Sequence, residues 1–94
     1  MKYEWDEAKR QSNLAKHGVD LASLTGFEWE SAQARLDTRK DYDERRWISL
    51  GRIGQVVHVP IFTRRRMRVR VTSLRVANRK KIQAYETNAR SADR

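Results

Sequence analysis

The chain has 94 residues, no cysteine, and 21 Lys/Arg against 12 Asp/Glu, a net charge of +9. That length suits one domain with a modest core. Disulfide and thiolate chemistry are excluded, and no apolar run approaches the ~18 residues of a membrane span. With only His17 and His58, and no HxxH or Cys/His cluster, a zinc set is lacking. No signal-peptide pattern opens the chain, so a soluble cytoplasmic protein without metal or cofactor is expected. The charge is segregated: residues 1–44 hold seven basic and ten acidic side chains, residues 45–85 hold twelve basic and no acidic ones, and the last nine are neutral. A block of that sign attracts polyanions such as nucleic acid or an acidic protein. A membrane surface suits it least, because its arginines alternate along strands instead of lining an amphipathic helix.

In chain order, Lys2 to Trp5 suggests a short strand, and Asp6 stands as the N-cap of a helix that runs to about Lys16 and ends at His17-Gly18. Asp20 opens a second short helix carrying Leu21, Leu24 and Phe27 at helical spacing. Ala32, Ala34 and Leu36 alternate with polar residues as a weak strand, which enters a polar loop from Asp37 to Asp43. Arg46 to Arg52 is a clearer strand, with Ile48 and Leu50 on one side and Trp47 and Ser49 on the other. Gly51 and Gly54 mark a hairpin turn into the strand Gln55 to Phe62. Pro60 interrupts that strand and predicts an edge position or a bulge, since proline cannot donate to the ladder.

The last third organises the rest. Met67, Val69 and Val71 alternate with Arg68, Arg70 and Thr72, a strand with one apolar and one basic face. From Asn78, an N-cap, the spacing turns helical, with Ile82, Tyr85 and Ala89 on one stripe. Arg79, Lys80 and Lys81 fill the first turn, where the helix dipole disfavours cations by ~0.3–1 kcal/mol each. Either an anion binds there or the three side chains swing into solvent. The expected fold is α+β: two N-terminal helices, an antiparallel sheet of three or four strands and a C-terminal helix. One domain covers residues 1–90, and residues 91–94 form a frayed tail.

Several separated pieces then align with one family: Glu4-Trp5-Asp6, Lys9, Asn13, Lys16-His17-Gly18-Val19, Glu44, Arg46-Trp47, Gly51, Arg70 to Ala77, and Tyr85. In order and spacing they resemble the BrnT toxins of bacterial type II toxin–antitoxin pairs, over nearly the whole chain. The resemblance implies a RelE-like fold, a metal-independent ribonuclease that stops translation, and neutralisation by a BrnA-type ribbon-helix-helix antitoxin. It also implies operator DNA binding through the antitoxin complex only. Lys81 and Arg45 are basic where relatives are commonly acidic, Val76 stands where a cation is expected, and Pro60 falls in a strand usually uninterrupted.

Metal-free RNA cleavage needs a base for the 2′-hydroxyl, cations for the pentacoordinate phosphate and an acid for the leaving 5′-oxygen. Arg75, Arg70 and Arg46 suit the phosphate, because guanidinium binds its oxygens bidentately at any working pH. Arg46 or Arg70 can instead pair with Glu44 to join neighbouring strands. For proton transfer the candidates are His17, Glu44 and Tyr85. His17 can equally be a helix-capping residue and Tyr85 a core residue. Arg68, Arg79, Lys80, Lys81 and Lys16 are candidate RNA contacts, with Trp47 as a stacking surface. Two other functions fit the same basic block: a non-catalytic nucleic-acid-binding module, and a basic face used mainly as a protein interface.

Overall fold

The computed structural model describes residues 2–39 and 44–92, with side chains through Ala89. Part of the expected 37–43 loop and the tail residues 93–94 lie outside these. Asp6 caps the first helix, α1 (Glu7–His17), accepting the N–H groups of Ala8 and Lys9 at 2.8 and 3.2 Å. Gly18 ends it in the left-handed region (φ 70°), its N–H donating to the Leu14 carbonyl. Asp20 starts the second segment as expected. It is a six-residue 3₁₀ helix (Leu21–Gly26) and not an α-helix, because Phe27 is drawn into a bridge with Ile53.

Five strands form one sheet in the order β1-β5-β4-β3-β2, where β1 is Lys2–Glu4, β2 Gln33–Leu36, β3 Trp47–Ile53, β4 Val56–Arg65 and β5 Arg68–Val76. The antiparallel meander β2 to β5 matches expectation. The added fifth strand corrects the strand count: β1 pairs parallel with β5, Tyr3 opposite Val69. Met67, read as a strand residue, is in the β4–β5 turn and 79% exposed. The C-terminal helix, α2 (Arg79–Ala92), begins at Asn78, whose side-chain oxygen accepts the Lys81 N–H at 2.9 Å.

One face of the sheet packs Phe62, Val69, Val71 and Leu74 under Leu21, Leu24 and Phe27. Burying each leucine contributes ~1.5–3 kcal/mol. The opposite face carries Ile48, Val57 and Val59 under Tyr85 of α2. Beyond β1, α1 runs beside the second half of β5, where Asn13 bonds the backbone of Leu74.

Two irregularities set which side chains share a face. Val71 pairs with Phe62 but Ser73 pairs with Ile61, so Thr72 is an extra residue in β5. That bulge reverses the alternation, placing Arg75 on the same face as Arg70 although five positions separate them. Pro60 is on β4, an interior strand, so the edge alternative is excluded. It pairs with Leu74 beside the same register shift. Gly51 also departs from expectation. It lies inside β3, and the turn is at Gly54 (φ 62°). The Phe27 ring occupies the space over Gly51, where a Cβ would collide with its Cζ.

Candidate nucleic-acid interface

α2 packs over Ile48, Val57 and Val59 on one face of the sheet, the face that also carries Arg46, Arg70 and Arg75. A groove of about 280 Å³ lies there between α1 and the sheet. Lys9, Lys16 and His17 of α1 form one wall, and Arg46, Ile61 and Ser73 the opposite side. The spacing of 9, 16 and 17 along α1 gives these side chains one common face. Three of the expected site residues, Lys16, His17 and Arg46, are thus brought together.

Farther along the same face the arginines have acidic neighbours. Arg70 lies 3.9 Å and Arg68 3.7 Å from the Glu4 carboxylate. Glu44, whose alternative partners are Arg46 and Arg70, takes its hydrogen bonds from Arg65, and Arg46 and Arg70 act on it through their charges. Its carboxylate accepts Arg65 Nη2 at 2.8 Å and Nε at 3.3 Å across the sheet end. The Arg65 hydrogen bonds, helped by the charges of Arg65, Arg70 and Arg46, hold Glu44 below the usual carboxylate range. An ionised, arginine-held carboxylate is a poor proton acceptor near neutrality, which argues against Glu44 as the base.

Between these cations sits Thr63, which sequence reasoning did not single out. It is 2% exposed, pairs with Arg70 in the β4–β5 ladder, and its hydroxyl has no hydrogen-bond partner among the described residues. Extending the β3–β4 register by one residue from Trp47 and Phe62 sets Arg46 opposite Thr63 on the other side. The Thr63 oxygen is closed off from solvent, so the hydroxyl lies beneath the two arginines and, like that of a core residue, does not reach a bound strand.

Arg75 lies farther along the same face, half-buried, near the start of α2. Arg79 and Lys80 are exposed in the first turn, and Lys81 is half-buried. Burial, then the charges of Arg75, Arg35, Arg39 and Lys80, lower the Lys81 pKa from its ordinary value. Two expected site residues belong elsewhere. Tyr85 is 1% exposed in the core, its hydroxyl donating to the Ser31 carbonyl at 3.3 Å and Arg52 lying 5.6 Å from its ring centroid, so it cannot reach a bound strand. Trp47 pairs with Phe62 and packs into the other core layer, on the face away from the arginines, which removes it as a stacking platform.

The residues missed were Glu4, Arg65, Thr63 and Arg35. Only strand pairing and the bulge put them beside the arginines, although the alternation of Gln33 and Arg35 already placed those two on one face. Among the described residues no group of three or more His, Asp or Glu side chains stands close enough to hold a metal ion. No described helix is long and apolar enough to cross a membrane.

Residues 5–81 match the family described as ribonuclease toxin, BrnT, of type II toxin–antitoxin systems. No curated protein matches the chain.

Proposed function

The chain belongs to the BrnT family and is a ribonuclease toxin of a type II toxin–antitoxin system, and we propose that it cuts single-stranded RNA, without a metal, in the groove between α1 and the β5 bulge. The observation that supports this most is the meeting of His17, Lys9 and Lys16 with Arg46 and Ser73 in one groove. It gathers proton-transfer and phosphate-binding groups from opposite ends of the chain. With Tyr85 buried and Glu44 held by Arg65, His17 is the side chain suited to take the 2′-hydroxyl proton. Arg46 and Arg70 then hold the non-bridging oxygens. An ammonium on the α1 wall, Lys9 or Lys16, protonates the departing 5′-oxygen. Attack by the 2′-oxygen leaves a 2′,3′-cyclic phosphate and a 5′-hydroxyl. Arg75, Arg68, Arg79, Lys80 and Lys81 hold flanking phosphates.

In the same reading the fold is RelE-like, cleavage stops translation in the cytoplasm, and a BrnA-type ribbon-helix-helix antitoxin neutralises the toxin. Operator DNA is bound by that complex and not by the free chain.

The test is purified, antitoxin-free protein incubated with RNA in EDTA. Cleavage should persist, yield 2′,3′-cyclic phosphate ends, and fall ~10²-fold or more in His17→Gln. Arg75→Ala should lower it less, through weaker binding. Loss of cleavage in EDTA, or full activity of His17→Gln, would overturn the mechanism.

A further inference from the structure

A second cavity lies on the same face, beside α2. It is a cleft of about 540 Å³ between α2 and the outer strands β2 and β3. Its floor includes Ile48, Leu50 and Ala84, and its rim carries Arg35, Lys80 and Lys81. We infer that this cleft seats a flanking nucleotide of the same RNA strand, its base on the apolar floor and its phosphate among the rim cations. The inference rests on the chain acting on single-stranded RNA.

Three observations support it. First, the floor is continuous with the groove. Ile48 pairs with Ile61 across β3 and β4, and Ile61 lines the groove, so a strand leaving the groove crosses this isoleucine pair into the cleft. Second, cations crowd the rim. Lys81 feels the charges of Arg75, Arg35, Arg39 and Lys80, and Arg39 in turn holds Asp37 at 2.8 Å. Such crowding is unfavourable in the empty protein and relieved by a bound polyanion. Third, the apolar floor inside a cationic rim matches the two parts of a nucleotide, a flat base and a charged phosphate. An acidic peptide would satisfy the cations but leave the floor without a matching surface.

The test is binding of 2′-O-methyl oligonucleotides, which cannot be cleaved by 2′-hydroxyl attack, measured by fluorescence anisotropy. A trimer fills the groove and an octamer reaches the cleft. The wild type should bind the octamer at least ~10-fold more tightly. The variant Arg35→Glu should bring the octamer most of the way down to the trimer's affinity, leave the trimer unchanged, and lower the octamer's salt slope by about one phosphate. An octamer with abasic sites at its ends should lose most of the advantage. Equal loss for both lengths, no loss, or full binding of the abasic octamer overturns the inference. So does displacement of the octamer by a poly-glutamate peptide of equal charge, which would assign the cleft to an acidic protein segment. RNA cleavage in EDTA is read separately, so failure of the cleft and failure of the ribonuclease mechanism are distinguishable.

Discussion

The side-chain amide of Asn13 brackets the backbone of Leu74, accepting its N–H at 3.1 Å and donating to its carbonyl at 2.7 Å. It does for the edge of β5 what a neighbouring strand would do, and its Nδ2 also donates to the Val19 carbonyl at 2.8 Å. The helix that carries Lys9, Lys16 and His17 is thereby fixed against the bulge. Asn13→Leu should cost about 2–4 kcal/mol, because two buried backbone groups of Leu74 lose their partner. A lower urea midpoint at unchanged m value would show it. A variant as stable as the wild type would mean that α1 is held by other contacts.

Thr63 makes a prediction in two assays. Thr63→Val removes a buried hydroxyl without a partner at nearly constant volume, so stability should hold or rise by up to ~1–2 kcal/mol. Cleavage per folded molecule should be unchanged, because the hydroxyl lies beneath the arginines and does not touch the strand. Loss of stability in Thr63→Val would reveal a hidden partner, such as a buried water, and a roughly tenfold loss of cleavage, equivalent to ~1.4 kcal/mol, would bring the hydroxyl into phosphate binding.

The Glu44–Arg65 pair sets a pH dependence. The folded-state pKa of Glu44 is depressed by the Arg65 hydrogen bond, so the pair's stabilisation is present above the ordinary value of 4.5 and is lost as pH falls through the lower folded value. The stability gap between wild type and Glu44→Gln should therefore be constant around neutrality and close in acid. Chemical denaturation across that range checks it. Between pH 5 and 8 the two proteins should share the shape of their cleavage profile. A shift of that profile on Glu44→Gln would make Glu44 a proton-transfer group after all.

Tyr85→Phe separates packing from catalysis. The hydroxyl makes one 3.3 Å bond to the Ser31 carbonyl, so its removal should cost up to ~1 kcal/mol and leave cleavage per folded molecule unchanged. Tyr85→Ala, which empties the space above Val57 and Val59, should cost about 3–5 kcal/mol. A hundredfold loss of cleavage in a well-folded Tyr85→Phe protein would return the residue to the active site.

Local signals in the chain were read well where they act locally. The caps at Asp6, Gly18 and Asn78 and the alternation from Arg68 to Val71 depend only on neighbouring residues, and they appear where expected. What escaped depends on distant partners. Gly51 looks like a turn residue until the Phe27 ring is seen above it. Trp47 looks available to RNA until its pairing with Phe62 fixes its side of the sheet. The extra residue at Thr72 has no local signature, yet it alone turns Arg75 toward Arg70. Arg65 was passed over as Glu44's partner because strand pairing brings them together from 21 positions apart.

The parallel docking of β1 on β5, with the clasp of Asn13 and Leu74 61 residues apart, makes the chain's toxicity a matter of timing. Lys9, Lys16 and His17 emerge among the first residues made, Arg46 and Ile61 follow with β3 and β4, and Ser73 comes last with β5. The groove is complete only once β5 has paired with β4 and met α1. On the proposed mechanism a polypeptide stopped before Leu74 should not cleave RNA, and synthesis at about 5–20 residues per second itself delays the first cut.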